Sequence, residues 1–247
     1  MPRLYTISPS LAITLQNKYP LSYGTGFSAH LWEAIAVATF LRTLSYKYQW
    51  IYDTISRVAA LAVGGETRFR NLALQGIVEE SDNPKILDMC CGAGQTTQFL
   101  TRYSNQVTGL DISPLAIERA KKNVPEANYV VSAAEKMKLP DNSFDIVHTS
   151  AALHEMTPRQ LTEIFQQVYR VLKPGGIFTF IDLHQPTNPI FVPGLYTFMY
   201  LFETHTAWKM IRADLPSQLT DAGFEILNQE LHAGGSLQMI QSQKSST

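Results

Sequence analysis

From Lys85 onward the apolar and polar positions switch period in a regular rhythm. "KILDMC" is an apolar run of strand length, and "QTTQFLTRY" after it takes helical spacing. "QVTGLDIS" predicts a second strand. A helix from Pro114 to about Asn123 follows, with Ser113 as its cap and Pro114 at its first position. "NYVVSA" predicts a third strand and, beyond the turn "LPDNS", "FDIVHTS" a fourth. Thr157 caps the next helix, which carries Leu161, Ile164, Phe165, Val168 and Leu172 on one face and ends at Pro174-Gly175-Gly176. "IFTFIDL" is the fifth strand, and "FEILNQEL", "HAGG" and "SLQMIQS" read as a closing hairpin.

Strands alternating with helices predict an α/β fold with a parallel, doubly wound sheet, here extended by a C-terminal antiparallel hairpin. Two stretches stand outside the rhythm. Residues 1–80 are expected to form a helical N-terminal lobe, with Trp32, Leu41, Leu44, Ile51, Ile55 and Leu61 as apolar markers. Residues 185–212 are an aromatic-rich insertion, an expected lid, within a domain spanning 81–247.

Composition narrows the class. The 247 residues carry Lys+Arg 20 against Asp+Glu 21, without a Lys/Arg run, which argues against nucleic acid as partner. Cys90 and Cys91 are adjacent and have no further cysteine to pair with, so a disulfide framework is excluded and a reducing, cytoplasmic setting is expected. No CxxC or HExxH is present, so no metal site is read. The apolar run "LWEAIAVATFL" is too short to span a bilayer, which needs about 20 residues.

The chemistry gathers at "DMCCGAG", where a buried strand turns into a helix. Gly92 and Gly94 leave room for a ligand to approach backbone, and the helix start offers N–H groups. Asp111, at the end of the next strand, is placed to accept hydrogen bonds from ribose hydroxyls. A dinucleotide-binding turn would carry a third glycine, and here Gly94 is followed by Gln95-Thr96-Thr97.

"ILDMCCGAG", "VTGLDIS", "SAAEKMKLPDNSFDIV" and "VYRVLKPGGIFTFIDL" resemble successive motifs of the class I S-adenosylmethionine (SAM)-dependent methyltransferases, whose fold also ends in an antiparallel hairpin. "AAEKMKLPDNSFD", "VYRVLKPGG" and "DAGFE" bring the chain nearest to the C-methyltransferases of ubiquinone and menaquinone biosynthesis. The resemblance implies SAM as cofactor, S-adenosylhomocysteine as product and a small-molecule methyl acceptor. It implies that Asp88 orders the turn near the methionine amino group, and that Gly92, Ala93 and Gly94 offer backbone to methionine and ribose. Asp111 would hold the ribose and Ile112 pack on the adenine. Ala133 and Ala134 would meet the adenine edge, and Ser150 the methionine part. Many relatives carry Asp or Asn where this chain has Ala133. In the segment "YDTISRVAALAVGGETRFR" the chain keeps Tyr52-Asp53 and Gly64, with Glu66-Thr67 and Phe69 where relatives have His-Arg and Trp.

A phenol or quinol methylated on carbon gains from a base that takes the ring hydroxyl proton. Strand-end candidates are His154, Glu155, His184 and His205, with His154 and His184 preferred because they follow the fourth and fifth strands. The insertion would form an apolar wall around a lipophilic acceptor, and the N-terminal lobe would supply the other wall or make a peripheral membrane contact. The alternatives are a small metabolite methylated on O, N or C, and a non-catalytic SAM-binding module.

Overall fold

The computed structural model describes residues 54, 57, 60–77, 83–203 and 205–246. Most of the expected N-terminal lobe, including Trp32 to Asp53 and Ile55, lies outside these residues. So does Thr204.

One seven-stranded sheet organises the chain, in the order β3-β2-β1-β4-β5-β7-β6. Its strands are β1 (Ile86–Met89), β2 (Val107–Asp111), β3 (Asn128–Val131), β4 (Phe144–Ser150), β5 (Leu172–Leu183), β6 (Phe224–His232) and β7 (Leu237–Lys244). The first five pair in parallel, whereas β7 runs antiparallel to both β5 and β6. The doubly wound sheet and its closing hairpin are therefore as the sequence predicts. Strand order reverses between β1 and β4, and the carboxyl ends there form a crevice suited to a ligand.

The α-helices described from end to end are α1 (Glu66–Leu72), α2 (Thr97–Leu100), α3 (Pro114–Asn123), α4 (Pro158–Val171), α5 (Val192–Phe202), α6 (His205–Met210) and α7 (Leu215–Asp221). α4 buries Leu161, Ile164, Phe165, Val168 and Val171 against Phe178 and Phe180. Full burial of such side chains contributes roughly 1.5–3 kcal/mol each. Thr157 starts α4 with a reciprocal capping box to Gln160, worth about 1 kcal/mol.

Two boundaries differ from the expected ones. α2 is a single turn, and the helical spacing beyond it is spent on turns. β5 begins at Leu172 rather than Ile177: α4 already ends at Val171, Pro174-Gly175-Gly176 lies within the strand, and Leu172 pairs with Phe144 across a register shift before Ile146. Leu61, one of the apolar markers, is 69% exposed. Ala60, Val63, Phe69, Leu72 and Ala73 pack instead on Ile181 and Met239. Gln241 Nε2 donates to the carbonyl of Gln75 at 2.9 Å, binding this segment to β7. Residues 60–77 thus form part of the layer that covers the sheet.

Candidate cofactor site

A cleft of about 570 Å³ opens at the carboxyl ends of β1, β2 and β4. Asp88, Gly92, Ala93, Asp111, Ile112, Ala134 and Ser150 line it, so most residues expected at a nucleoside cofactor come together. Gly94, Ala133, His154 and His184 do not line it.

Asp88 is buried and binds two elements at once. Its Oδ2 accepts from Thr97 Oγ1 of α2 at 2.6 Å, while Oδ1 lies 3.3 Å from His148 Nδ1 on β4. Asp111 Oδ2 accepts from the Gly92 N–H at 3.0 Å and Oδ1 from the Ser113 N–H at 2.9 Å. Burial pushes the Asp111 carboxyl above its usual range, against the pull of those two donors. A carboxylate oxygen has a second lone pair, so both bonds leave acceptor capacity for hydroxyls. Ile112 is 67% exposed beside it, an apolar surface on the cleft.

The turn glycines divide their work. Gly92 sits on the cleft and gives its N–H to Asp111. Gly94 instead faces α3: at φ +88°, a Cβ there would lie 3.3 Å from Val124 and 3.4 Å from Ala120. It serves helix–strand packing and the left-handed turn.

Cys90 and Cys91 are turn residues, as their small size suggests. Cys90 adopts φ 59°, a conformation that favours glycine, and packs against the main core. Cys91 Sγ would come 2.9 Å from any Cβ on Gly109 of β2, so the sulfur fills space that only a glycine strand leaves. Burial pushes both thiols up, aided by the charges of Asp111 and Asp88. A protonated, buried thiol is a poor nucleophile. The native protein should therefore react with iodoacetamide at pH 8 at least ~10-fold more slowly than the urea-unfolded chain. Mass spectrometry reads both rates, and equal rates would mean an open turn.

His154 and His184 lie elsewhere. His154 is buried, its Nδ1 2.6 Å from Asp182 Oδ1 and its Nε2 3.4 Å from Glu203 Oε2. Asp182 Oδ2 also accepts the N–H groups of Ala152 and Leu153, which fixes the loop after β4. Burial alone would pull the imidazolium down, but Asp182 and Glu203 hold it well above the ordinary histidine value. His184 Nδ1 lies 2.9 Å from the Gly235 carbonyl, at a separate shallow groove with Arg212 and Asp214. His205 begins α6, and its side chain is outside the described residues. Of the strand-end candidates with described side chains, Glu155 alone lines the cleft. The aromatic insertion is inward-looking: Tyr196, Phe198 and Trp208 pack around Leu195, Met199, Ala207 and Ile211. Tyr196 meets Trp208 edge-on at 5.1 Å.

Sequence reasoning missed Arg70. It is 6% exposed, lines the cleft from α1, and Nη1 donates to Thr96 Oγ1 at 3.0 Å and Ser150 Oγ at 3.2 Å. The only local signal was a cation at the end of a short helix.

Comparison with known proteins agrees with this geometry. A family model described as a methyltransferase domain matches residues 86–176. An uncharacterized methyltransferase of Synechocystis sp. is 53% identical over 211 residues, covering 85% of this chain and 99% of that protein. A demethylmenaquinone methyltransferase of Thermotoga maritima is 28% identical over 149 residues, 60% of this chain and 63% of that protein. A SAM-dependent methyltransferase structure from Methanosarcina mazei superposes with TM-score 0.54 at 25% identity, covering 68% of this chain and 95% of that one. The cleft has room for a nucleoside, and a carboxylate, Asp111, and an exposed isoleucine, Ile112, lie side by side on it. With motif order, sheet order and site geometry in agreement, the chain belongs to the class I SAM-dependent methyltransferases.

Proposed function

We propose that the enzyme methylates a small lipophilic acceptor of phenol or quinol type. The observation that supports this reading is the similarity to demethylmenaquinone methyltransferase over 149 residues. SAM supplies a methyl group already activated on a sulfonium, so the chain's task is alignment and proton removal. Among the described residues no group of His, Cys, Asp and Glu could hold a metal ion.

Asp88, Gly92, Ala93, Asp111, Ile112, Ala134 and Ser150 hold the cofactor in this reading. Glu155, on the loop after β4, takes the acceptor's hydroxyl proton; His154 positions that loop from behind. No described helix is long and apolar enough to cross a membrane.

Transfer of labelled methyl from SAM to a chemically reduced naphthoquinol, a catechol and a primary amine tests the reading. The naphthoquinol should be the best substrate, and Glu155→Gln should lower kcat about 100-fold and flatten the acidic limb of its pH profile. SAM affinity should stay within about threefold of wild type. Transfer to the amine alone would overturn the acceptor class, and an unchanged Glu155→Gln kcat would overturn the base.

A further inference from the structure

On the premise that SAM occupies the cleft between β1, β2 and β4, we infer that His148 is a positioning residue for the cofactor. It holds the Asp88 carboxylate toward the methionine ammonium. His148 is 0% exposed, on a strand whose buried neighbours Ile146 and Val147 are aliphatic. Its Nδ1 lies 3.3 Å from Asp88 Oδ1, and a carboxylate only accepts, so Nδ1 carries the hydrogen. Nε2 is buried with no hydrogen-bond partner among the described residues. Thr179, opposite on β5, spends its hydroxyl on the Ala73 carbonyl. A ring nitrogen left bare in the interior costs stability, and an aliphatic side chain at this place would avoid that cost. The side-chain bond His148 does make goes to a residue of the cleft.

Strand order gives the direction of the ligand. Ala134 follows β3, Asp111 ends β2, Asp88 lies on β1 and Ser150 ends β4, and all four line the cleft in that order across the sheet. With adenine on Ile112 and ribose on Asp111, the amino-acid portion reaches β1 and β4. Asp88 is the buried carboxylate that lines the cleft there. It is held from two sides: Thr97 Oγ1 donates to Oδ2 at 2.6 Å, and His148 Nδ1 to Oδ1. Each oxygen keeps a further lone pair. At 1% exposure the charge is poorly solvated, so its attraction for an ammonium is strong. The His148 bond fixes the direction of that charge, which a carboxylate free to turn would spread over several directions.

S-adenosylhomocysteine and its des-amino analogue differ only by the ammonium, which makes the pair the probe. Calorimetry should show wild type binding S-adenosylhomocysteine about 10–100-fold more tightly than the analogue. His148→Leu should shrink that gap at least about fivefold by weakening S-adenosylhomocysteine alone. His148→Asn, whose amide can donate from the place of Nδ1, should restore most of it. Equal weakening of both ligands in His148→Leu, the mark of a structural role, would overturn the inference. So would no weakening, a His148→Asn no better than His148→Leu, or equal binding of the two ligands by wild type. If His148→Leu does not fold, proton–nitrogen NMR of histidine-labelled wild type decides. The His148 Nδ1–H signal, identified by its loss in His148→Asn, should move with S-adenosylhomocysteine and not with the analogue. A signal that ignores both bound ligands would overturn the inference. Failure of wild type to bind either nucleoside would instead sink the cofactor assignment beneath it.

Discussion

Asp111→Ala should weaken SAM and S-adenosylhomocysteine binding about 100-fold, the largest loss expected from any single change in the cleft. Two ribose hydroxyls donating to one carboxylate are worth roughly 3 kcal/mol together, since hydrogen bonds to charged groups are the stronger kind. The carboxylate also holds the turn, through the Gly92 and Ser113 N–H groups, so its removal loosens the cradle as well as the contact. Asp111→Asn keeps one acceptor oxygen and should fall between the two. Calorimetry with S-adenosylhomocysteine reads all three proteins. Binding of Asp111→Ala within threefold of wild type would place the ribose somewhere else. A thermal melt separates the two losses: a folded protein that no longer binds has lost the contact, not the turn.

Much of this cleft is written locally. An apolar run, a glycine turn and a strand-end aspartate are short-range patterns, and the chain places Asp88, Gly92 and Asp111 together because adjacent parallel strands end at one edge. The α4 face and the closing hairpin were legible for the same reason, as periodicity within a dozen residues. Gly94 shows the limit: its spacing suits a ligand, but its neighbours are Val124 and Ala120, brought close only by the packing of α3. Arg70 shows it more strongly, because Thr96 and Ser150 are remote in sequence and meet it only after the sheet is assembled. The start of β5 was misplaced because a register shift lets pairing continue through a proline-glycine stretch that sequence reads as a break.

His154→Ala should destabilise the fold by about 3–5 kcal/mol, because it strands two carboxylates that the buried imidazolium bridges. Asp182 is 1% exposed and cannot recruit water freely, although the Ala152 and Leu153 N–H groups remain on its Oδ2. Glu203 closes α5, so the break would also release the aromatic helix from the β4–α4 loop. The sign with pH follows from the raised folded-state value. A histidine held above its ordinary 6.5 contributes stability that is full below that value and is lost as pH rises through the folded one. Urea unfolding of wild type and His154→Ala should therefore differ most near pH 6 and converge in alkaline solution. A difference that grows with pH would reverse the assignment. His154→Gln separates a structural ion from a general base. If His154 took the acceptor proton, His154→Gln would fold normally, bind SAM normally and lose kcat with the pH limb of an imidazole. As a buried ion between Asp182 and Glu203, its loss should instead appear first in the melting temperature, and kcat should fall only as far as the Ala151–Met156 loop shifts against the cleft it lines.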